Sequence, residues 1–281
     1  MKKVLVIGST GMLGHVVKKY LIDKKYDVYE TTRNQTNKYY FDALENIKKI
    51  EEIIDSIKPD FVVNCIGILN RKAEDYPSQA ILVNSYFPHY LDEMSEKYNY
   101  KLIHISTDCV FSGHDGGSYK EDSPKTATTV YGTSKALGEI NNNRSLTLRT
   151  SIIGPDTNPN GIGLFEWFMK QKDEVHGFRK AFWSGVTTIE LAKQIEIAMN
   201  SNLTGLYHIT NGQKISKYDL LTIIKDVFNK DIKIIPDDNY SCDKSLVVTR
   251  EDYKFNIPSY HQMIVEMKEW IENNKDIYGG F

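Results

Sequence analysis

Two side chains that can exchange protons, Tyr131 and Lys135, lie four residues apart. This spacing places the phenol and the ammonium on one face of a helix. A tyrosine titrates at about pH 10 unless a nearby cation stabilises its phenolate, and Lys135 would be that cation. Thr107 follows an apolar run at the carboxyl end of a predicted strand, where open parallel sheets bind their ligands. The three residues predict a catalytic centre in which Thr107 orients a carbonyl oxygen beside the phenol of Tyr131.

A glycine-rich turn precedes this centre in the chain. Gly8, Gly11 and Gly14 are three residues apart, between an apolar run and a helical pattern. Glycines at such a turn let the backbone approach a pyrophosphate, and the free N–H groups of the first helical turn face its negative charge. Structural turns show the same spacing, but its place between strand and helix favours a dinucleotide site. With that site, Tyr131 and Lys135 indicate a nicotinamide-dependent oxidoreductase rather than a surface tyrosine beside a helical lysine.

The end of the second predicted strand selects the cofactor. An acidic side chain there binds the ribose hydroxyls of NAD, whereas an arginine accommodates the 2′-phosphate of NADP. Glu30 lies inside this strand and Arg33 just beyond it, so NADPH is predicted, and NADH stays open because Glu30 could face the ribose. Asp42 is a candidate for the adenine edge or a turn former. Cys65 and Gly67, at the end of the fourth predicted strand, would let the cofactor pass close to the backbone.

The elements that carry these residues alternate between short apolar runs and helical periodicities. Such alternation implies right-handed crossovers and a parallel sheet. The predicted fold class is α/β: a Rossmann-like doubly wound parallel sheet with a smaller, interleaved α/β substrate-binding region. Strands are predicted at 3–7, 27–31, 39–41, 60–68, 101–106, 145–153 and 206–209, and helices at 12–22, 44–56, 79–98, after 131, and at 164–172, 187–200, 217–228 and 259–274.

The regular alternation weakens after residue 154, where the segment 155–163 is predicted to be a loop. We therefore predict an NAD(P)-binding Rossmann domain at 1–154, partly completed by about 186–210. The substrate-binding region is predicted at 155–185 and 211–281, interleaved with the first domain rather than appended to it.

The composition excludes several classes of partner. With 35 basic and 37 acidic residues the formal net charge is −2, too balanced to gather nucleic acid or an anionic membrane surface. The first apolar run is too short for a secretory segment or a membrane span. The chain has 3 cysteines without CxxC spacing, which indicates a reduced, cytoplasmic location rather than disulfides or a thiolate zinc site. The 7 histidines show no metal-ligand spacing, so no metal is predicted and His104 is interpreted as structural.

Longer motifs carry a family resemblance. The sequence contains GSTGMLG, NCIGI, VNSYFPHYL, HISTDCVFSG, YGTSKALGE and LRTSIIG. Together they resemble the extended short-chain dehydrogenase/reductase family, and STDCVFSG with the later GLYHIT resembles its dTDP-4-dehydrorhamnose reductase branch. The resemblance covers nearly the whole chain. It implies NADPH-dependent reduction of the 4-keto group of a nucleoside-diphosphate 4-keto-6-deoxysugar, in surface polysaccharide or glycan synthesis.

The resemblance also assigns roles to matching positions. Thr107, Tyr131 and Lys135 match the catalytic triad, and Asn84 matches a helix asparagine that supports the lysine through water. Cys109 stands where this branch usually carries tyrosine, and NCIGILN replaces its usual strand end, so the sugar and its nucleotide, UDP or dTDP, stay open. The positions that match the phosphate-binding turn and the segment closing over the nicotinamide are Gly8, Thr10, Gly11, Met12, Leu13, Ser151 and Ile152.

The substrate side offers weaker candidates. Asp108 and Val110 follow the active-site threonine. Trp167 and Trp183 could stack on a pyrimidine base or cover a sugar, although aromatic residues at helical spacing more often belong to a core. The basic residues that could neutralise a diphosphate are Arg179, Lys180, Lys244 and Arg250.

Two other activities use the same residues. A nucleotide-sugar epimerase would use the triad with a retained NAD, whereas a dehydratase usually needs an acidic pair, and no glutamate follows Asp108. The branch also includes cofactor-binding regulatory subunits of other enzymes, although an intact triad argues against that role. A homodimer joined through helices is a hypothesis for the assembly, without a readable interface.

Overall fold

The computed structural model describes residues 1–158 and 161–278. Pro159 and Asn160 of the predicted loop, and 279–281 at the end of the predicted substrate-binding region, lie outside them. The strands are β1 (Lys3–Ile7), β2 (Asp27–Thr31), β3 (Phe61–Asn64), β4 (Lys101–Thr107), β5 (Leu146–Thr150), β6 (Ile152–Ile153), β7 (Glu174–Trp183), β8 (Val186–Thr187), β9 (Gly205–His208), β10 (Ile215–Ser216) and β11 (Lys233–Asp243). Six of them form the central parallel sheet in the order β2-β1-β3-β4-β5-β9.

Helices connect these strands. Four of them start at a serine or threonine whose hydroxyl accepts the main-chain N–H three residues later, at Thr129, Thr187, Ser216 and Ser259. Within the described ranges, no helix combines the length and the apolar character that crossing a bilayer requires. The helices are α1 (Gly14–Asp23), α2 (Lys49–Ile57), α3 (Asn70–Asp75), α4 (Pro77–Ala80), α5 (Phe87–Tyr98), α6 (Val130–Leu137), α7 (Leu164–Lys170), α8 (Thr188–Met199), α9 (Lys217–Phe228), α10 (Tyr260–Asn273) and α11 (Lys275–Tyr278).

Strand β1 shows why the sheet is covered on both faces. Leu5 and Ile7 pack on one face against apolar residues of α2 and α5. Val4 and Val6 belong on the other face to a core that includes apolar residues of α1, α8, α9 and α10. Because side chains alternate across a strand, a continuous apolar run supplies both cores at once. The predicted α/β doubly wound sheet is confirmed.

A second, smaller sheet has the order β10-β7-β11, and α9 packs against β7. The sequence pattern does not predict β7 or β11. Arg179 and Lys180 interrupt the apolar residues of β7, while β11 contains Pro236, is mostly exposed, and shifts register between Asp237 and Ser241. These strands gain their stability from each other and from α9, so local periodicity does not reveal them.

The strand predicted at 60–68 ends at Asn64, so Cys65 and Gly67 follow it, and the strand predicted at 145–153 consists of β5 and β6 in different sheets. Three further predicted elements differ more strongly from the structure. At 39–41 no strand forms, because Asn37 and Asp42 accept main-chain N–H groups two residues later and hold turns, leaving only a bridge between Thr32 and Tyr40. The helix predicted at 44–56 therefore begins only at Lys49. The helix predicted at 79–98 consists of α4, a π-helical segment (Ile81–Tyr86) and α5.

Candidate active site

Thr107 is the last residue of β4, at the carboxyl edge of the central sheet. A 3₁₀ turn (Asp108–Val110) follows it, and Thr107 caps this turn by accepting the N–H of Cys109 at 3.2 Å. Its hydroxyl donates to Asp108 Oδ1 at 3.2 Å, and it is close enough to the Tyr131 phenol to lower the pKa of that phenol against the effect of burial. The threonine and the tyrosine, 24 residues apart in the sequence, therefore meet at this edge.

Tyr131 lies in the first turn of α6, which two glycines bring close to the sheet. A Cβ at Gly132 would lie 2.3 Å from the carbonyl oxygen of Cys109, and one at Gly138 would lie 1.9 Å from that of Asn84. Burial raises the pKa of the Tyr131 phenol, so the phenol holds its proton at neutral pH.

Lys135 is buried one turn further along α6. Its Nζ donates to the carbonyl oxygen of Ile105 at 2.7 Å and lies 3.5 Å from Nε2 of His104. Burial lowers the pKa of Lys135 to about 8, against the opposing effects of Glu139 and Cys65. The predicted face that joins Tyr131 and Lys135 is thus directed into the protein beside β4.

Asn84 lies in the π-helical segment, a type of irregularity that is frequent at functional sites. Its Oδ1 accepts the N–H of Ile68 at 2.8 Å, and its Nδ2 donates to the carbonyl oxygen of Ile68 and to Ser134 Oγ at 2.9 and 3.0 Å. Asn84 thus joins the residue before Lys135 to the loop after β3. Support of Lys135 by Asn84 through water, which the resemblance implies, stays a prediction.

The glycine-rich turn has the shape of a pyrophosphate cradle. Gly8 has φ +84°, and a Cβ there would lie 2.4 Å from Ile66 Cγ2, while a Cβ at Gly14 would lie 2.0 Å from the carbonyl oxygen of Gly8. Within the described residues, the main-chain N–H groups of Thr10, Met12 and Leu13 donate no hydrogen bond. Unpaired N–H groups at the start of α1 are donors for an anion, so the residues present fit the predicted cofactor.

The structure separates the two residues considered for cofactor selection. Glu30 accepts the hydroxyl of Ser9 at 2.5 Å and forms an ion pair with Lys18 at 3.0 Å. Arg33 is exposed, and no carboxylate of the described residues pairs with it. The acidic group is therefore engaged by protein partners, while the guanidinium faces solvent at the end of β2.

Three further candidate cofactor-binding residues differ in whether their polar groups are already engaged within the protein. Asp42 is a turn former, because its Oδ1 accepts the N–H of Leu44 at 2.9 Å. The N–H of Cys65 extends β3 by donating to Ile7 at 3.0 Å, and burial raises the pKa of its thiol to about 12. Gly67 is exposed, and a Cβ there would lie 3.3 Å from Asn84 Oδ1.

Ser151 directly follows β5, at the carboxyl edge of the central sheet, and Ile152 is the first residue of β6. The carbonyl oxygen of Ser151 accepts the N–H of Val186 at 2.9 Å, and Ile152 pairs with Val186 in the small sheet of β6 and β8. Both residues are partly exposed. Nearby, the hydroxyl of Thr157 contacts the carbonyl oxygen of Thr10 at 3.4 Å, so the segment after β6 reaches the glycine-rich turn.

The substrate candidates divide by burial. Asp108 is buried, and burial raises the pKa of its carboxyl group against the effects of Lys244 and Lys217. Val110 is fully buried in a small apolar cluster, so its side chain is not available to a substrate. Trp183 is buried, whereas Trp167 is 41% exposed on α7.

The basic candidates divide by their partners. Arg179 pairs with Asp238 and Arg250 pairs with Asp252. Lys180 is exposed on β7, and only Lys244 lies beside the active-site threonine's turn, with Nζ 3.7 Å from Cys109 Sγ. The sequence analysis does not identify Lys217 as a candidate substrate residue. Its one signal in the sequence is its place as the first residue of α9, directly after the N-capping Ser216.

Residues 1–245 match the family model described as the RmlD substrate binding domain. The chain belongs to this family. The predicted extended short-chain dehydrogenase/reductase membership, in the branch of the dTDP-4-dehydrorhamnose reductases, is thereby confirmed.

Relatives span most of the chain. The spore coat polysaccharide biosynthesis protein SpsK of Bacillus subtilis is 29% identical over 231 residues, covering 80% of this chain and 79% of the relative. The dTDP-4-dehydrorhamnose reductase of Aggregatibacter actinomycetemcomitans is 29% identical over 239 residues, with the same coverage of 80% and 79%. The dTDP-4-dehydrorhamnose reductase of Bacillus anthracis, solved in complex with NADP, shares the fold with a TM-score of 0.82 at 21% identity, covering 98% of this chain and 100% of that structure.

Proposed function

We propose that this protein is an NADPH-dependent oxidoreductase that reduces the 4-keto group of a nucleoside-diphosphate 4-keto-6-deoxysugar in the synthesis of a surface polysaccharide or glycan. The observation that carries the proposal is the meeting of Thr107, Tyr131 and Lys135 at the carboxyl edge of the sheet, beside a glycine-rich turn with unpaired N–H groups. The names of the two sequence relatives support the substrate class and the process.

The residues divide the reaction between them. When bound, the reduced nicotinamide supplies a hydride to the carbonyl carbon. Thr107 donates a hydrogen bond to the carbonyl oxygen, and Tyr131 gives that oxygen a proton as its charge develops. Burial keeps the phenol of Tyr131 protonated at neutral pH, so the proton to be donated is present before the hydride transfer. Lys135, with a pKa of about 8, is mostly charged at neutral pH and stabilises the phenolate that remains.

The cofactor choice rests on the end of β2. Glu30 is held by Ser9 and Lys18, which lowers its capacity to bind a ribose hydroxyl, while Arg33 is free to pair with a 2′-phosphate. This arrangement favours NADPH over the retained NAD of an epimerase. The assembled triad likewise favours a reductase over a regulatory subunit. The choice between UDP and dTDP stays open. The homodimer and the cytoplasmic location stay predictions.

Turnover tests the proposal directly. We expect the purified protein to oxidise NADPH, seen as loss of dihydronicotinamide absorbance, when UDP- or dTDP-4-keto-6-deoxysugars are made in situ. Tyr131→Phe removes the proton donor and should lower the rate roughly a hundredfold to ten-thousandfold, with an unchanged thermal melt. Thr133→Val, on the exposed side of the same helix, is the control. Absence of NADPH oxidation with every keto sugar would contradict the reductase assignment.

A further inference from the structure

Two lysines on the substrate side of Thr107 form no ion pair with the described residues. Lys217 is the first residue of α9, and Lys244 directly follows β11. Both side chains are half-buried. Across residues 1–158 and 161–278, no carboxylate oxygen lies within 4.0 Å of either ammonium group. A half-buried ammonium loses part of its hydration, so it needs a counter-charge or hydrogen-bond acceptors in its place.

Other basic side chains of the same region have such partners. Lys214 forms an ion pair with Asp243 at 2.7 Å, and Arg250 forms one with Asp252 at 2.6 Å. Lys180 forms no ion pair with a residue that the structure describes, but it is exposed, so water solvates its charge. Lys217 and Lys244 therefore differ from these residues, because their side chains are half-buried and form no ion pair with the described residues.

Both lysines act on the turn that follows Thr107, Lys244 by contact and Lys217 through its charge. Lys244 Nζ lies 3.7 Å from Cys109 Sγ, and Lys217 Nζ lies 5.3 Å from the ring centroid of Trp183. Asp108 interacts electrostatically with both lysines, and Lys244 lowers the pKa of Lys217 in addition to the effect of burial. Two positive charges thus share one carboxylate, and the excess charge lies beside the group that orients the carbonyl.

We propose that Lys217 and Lys244 bind an oxyanion of the substrate, within one sugar ring of the carbon that accepts the hydride. Two parts of a nucleotide sugar could supply this anion: the diphosphate on the anomeric carbon, or a carboxylate on the sugar itself. The inference rests on the proposed function, because Thr107 places the reacting carbonyl. It assigns to these lysines the anchoring of the sugar opposite the nicotinamide and the exclusion of neutral, unphosphorylated sugars.

Titration calorimetry on the protein saturated with NADP⁺ tests this site without turnover. The probes are UDP, dTDP, UDP-glucose and UDP-glucuronate, applied to wild type, Lys217→Met and Lys244→Met. If the diphosphate is the anion, each variant binds UDP or dTDP about tenfold to a hundredfold more weakly. If a carboxylate is the anion, UDP binding is unchanged, and the variants lose a wild-type preference for UDP-glucuronate over UDP-glucose.

The controls keep the result interpretable. Lys180→Met, on the exposed part of β7, should bind every probe as the wild type does. Lys244→Arg keeps the charge and should recover much of the lost affinity, which a purely structural role would not predict. NADP⁺ affinity and the thermal melt should stay unchanged in all variants.

Failure of this inference and failure of the proposed function give different results. Equal binding of all four probes by wild type and both methionine variants, or no binding of any probe, would overturn the lysine site. Lysine-dependent binding without reduction of any 4-keto sugar would instead overturn the proposed reductase and leave an anion-binding site in place.

Discussion

At the scale of single residues, a hydrogen bond from Asn64 determines which ring nitrogen of His104 carries the proton that faces Lys135. Asn64 Oδ1 accepts the N–H of Ile66 at 3.3 Å, so the amide nitrogen of Asn64 faces His104 Nδ1 at 3.1 Å. Nδ1 therefore accepts, and the imidazole proton lies on Nε2, 3.5 Å from Lys135 Nζ. Two N–H groups then face each other, so the ammonium depends on the carbonyl oxygen of Ile105.

This environment makes the protonation of Lys135 measurable through stability. Burial lowers its pKa from 10.5 to about 8, so the unfolded chain binds this proton more tightly than the native state between those values. The stability linked to this group is present above pH 10.5 and is lost as the pH falls through about 8. Relative to Lys135→Met, wild type should gain free energy of unfolding as the pH rises through that window, by ~1.4 kcal/mol per pKa unit.

Urea unfolding at both ends of the pH window measures this difference. Lys180→Met, which removes an exposed lysine, is the control and should track the wild type at both pH values. A difference between wild type and Lys135→Met that does not change with pH would contradict the buried-lysine account.

Arg33 makes a second prediction at this scale. We expect Arg33→Ala to bind adenosine 2′,5′-bisphosphate roughly tenfold more weakly, because a charge-assisted hydrogen bond to the 2′-phosphate is lost. Binding of 5′-AMP should not change. Calorimetry measures the affinity of each variant for the two nucleotides. Arg71→Ala, at a side chain that is 93% exposed, is the control. Equal loss for both nucleotides would assign Arg33 to the adenosine rather than to the phosphate.

At the scale of elements, α6 delivers Tyr131 and Lys135 only because it lies unusually close to the π-helical segment. Ser85 Oγ donates to the carbonyl oxygen of Ser134 at 2.7 Å, and Asn84 reaches Ser134 Oγ. Gly138 continues this contact at the end of the helix, where its missing side chain leaves room for the backbone of Asn84. The catalytic pair is thus positioned by two side-chain hydrogen bonds to Ser134 and by the close backbone approach at Gly138.

Gly138→Ala tests that contact. The added methyl group would meet the carbonyl oxygen of Asn84 at 1.9 Å, so α6 must move away from the π-helical segment. We expect a loss of ~1–3 kcal/mol of stability and a large loss of kcat, since Tyr131 moves with the helix. Gly163→Ala is the matched control, because its methyl group would meet only the flexible end of Met12 at 3.3 Å. Thermal melts and NADPH oxidation report both effects, and a variant as active as Gly163→Ala would contradict this account.

At the scale of the whole molecule, a buried ionic network joins the central sheet to the segment that carries Lys244. Glu139 accepts Ser106 Oγ and two guanidinium nitrogens of Arg149, each at 2.6 Å. Arg149 also donates to His208 Nε2 at 2.8 Å, and His208 Nδ1 therefore donates to the carbonyl oxygen of Val247 at 2.7 Å. The network thus connects α6, β4, β5 and β9 with the chain after β11.

Removal of Arg149 should be costly. In Arg149→Met the carboxylate of Glu139 stays fully buried, and Lys125 is its one remaining ion-pair partner among the described residues, so we expect a loss of ~3 kcal/mol. Arg179→Met, which breaks the exposed pair with Asp238, should change the urea midpoint little. If the two variants were equally stable, the network would not be a source of stability. A selective loss of affinity for nucleotide probes in Arg149→Met would reflect displacement of Lys244.

The sequence by itself determined the features whose geometry is local. The spacing of Gly8 and Gly14 and that of Tyr131 and Lys135 lie within one turn or one helix, where backbone geometry alone decides which groups share a face. The apolar runs of the central strands determined the doubly wound sheet for the same reason. Thr107 needed only the rule that parallel strands present their carboxyl ends at one edge.

Only the tertiary structure decided which side chains are partners across the chain. Lys217 interacts electrostatically with Asp108 although 109 residues separate them in the sequence, and Glu30 forms an ion pair with Lys18 of the neighbouring helix. The strands β7 and β11 stabilise each other although neither has a strong pattern of its own. Ion pairs and the stability of these strands depend on the residues that pack against them. Crossover connections bring those residues from distant segments of the sequence, so the local hydrophobic periodicity does not predict them.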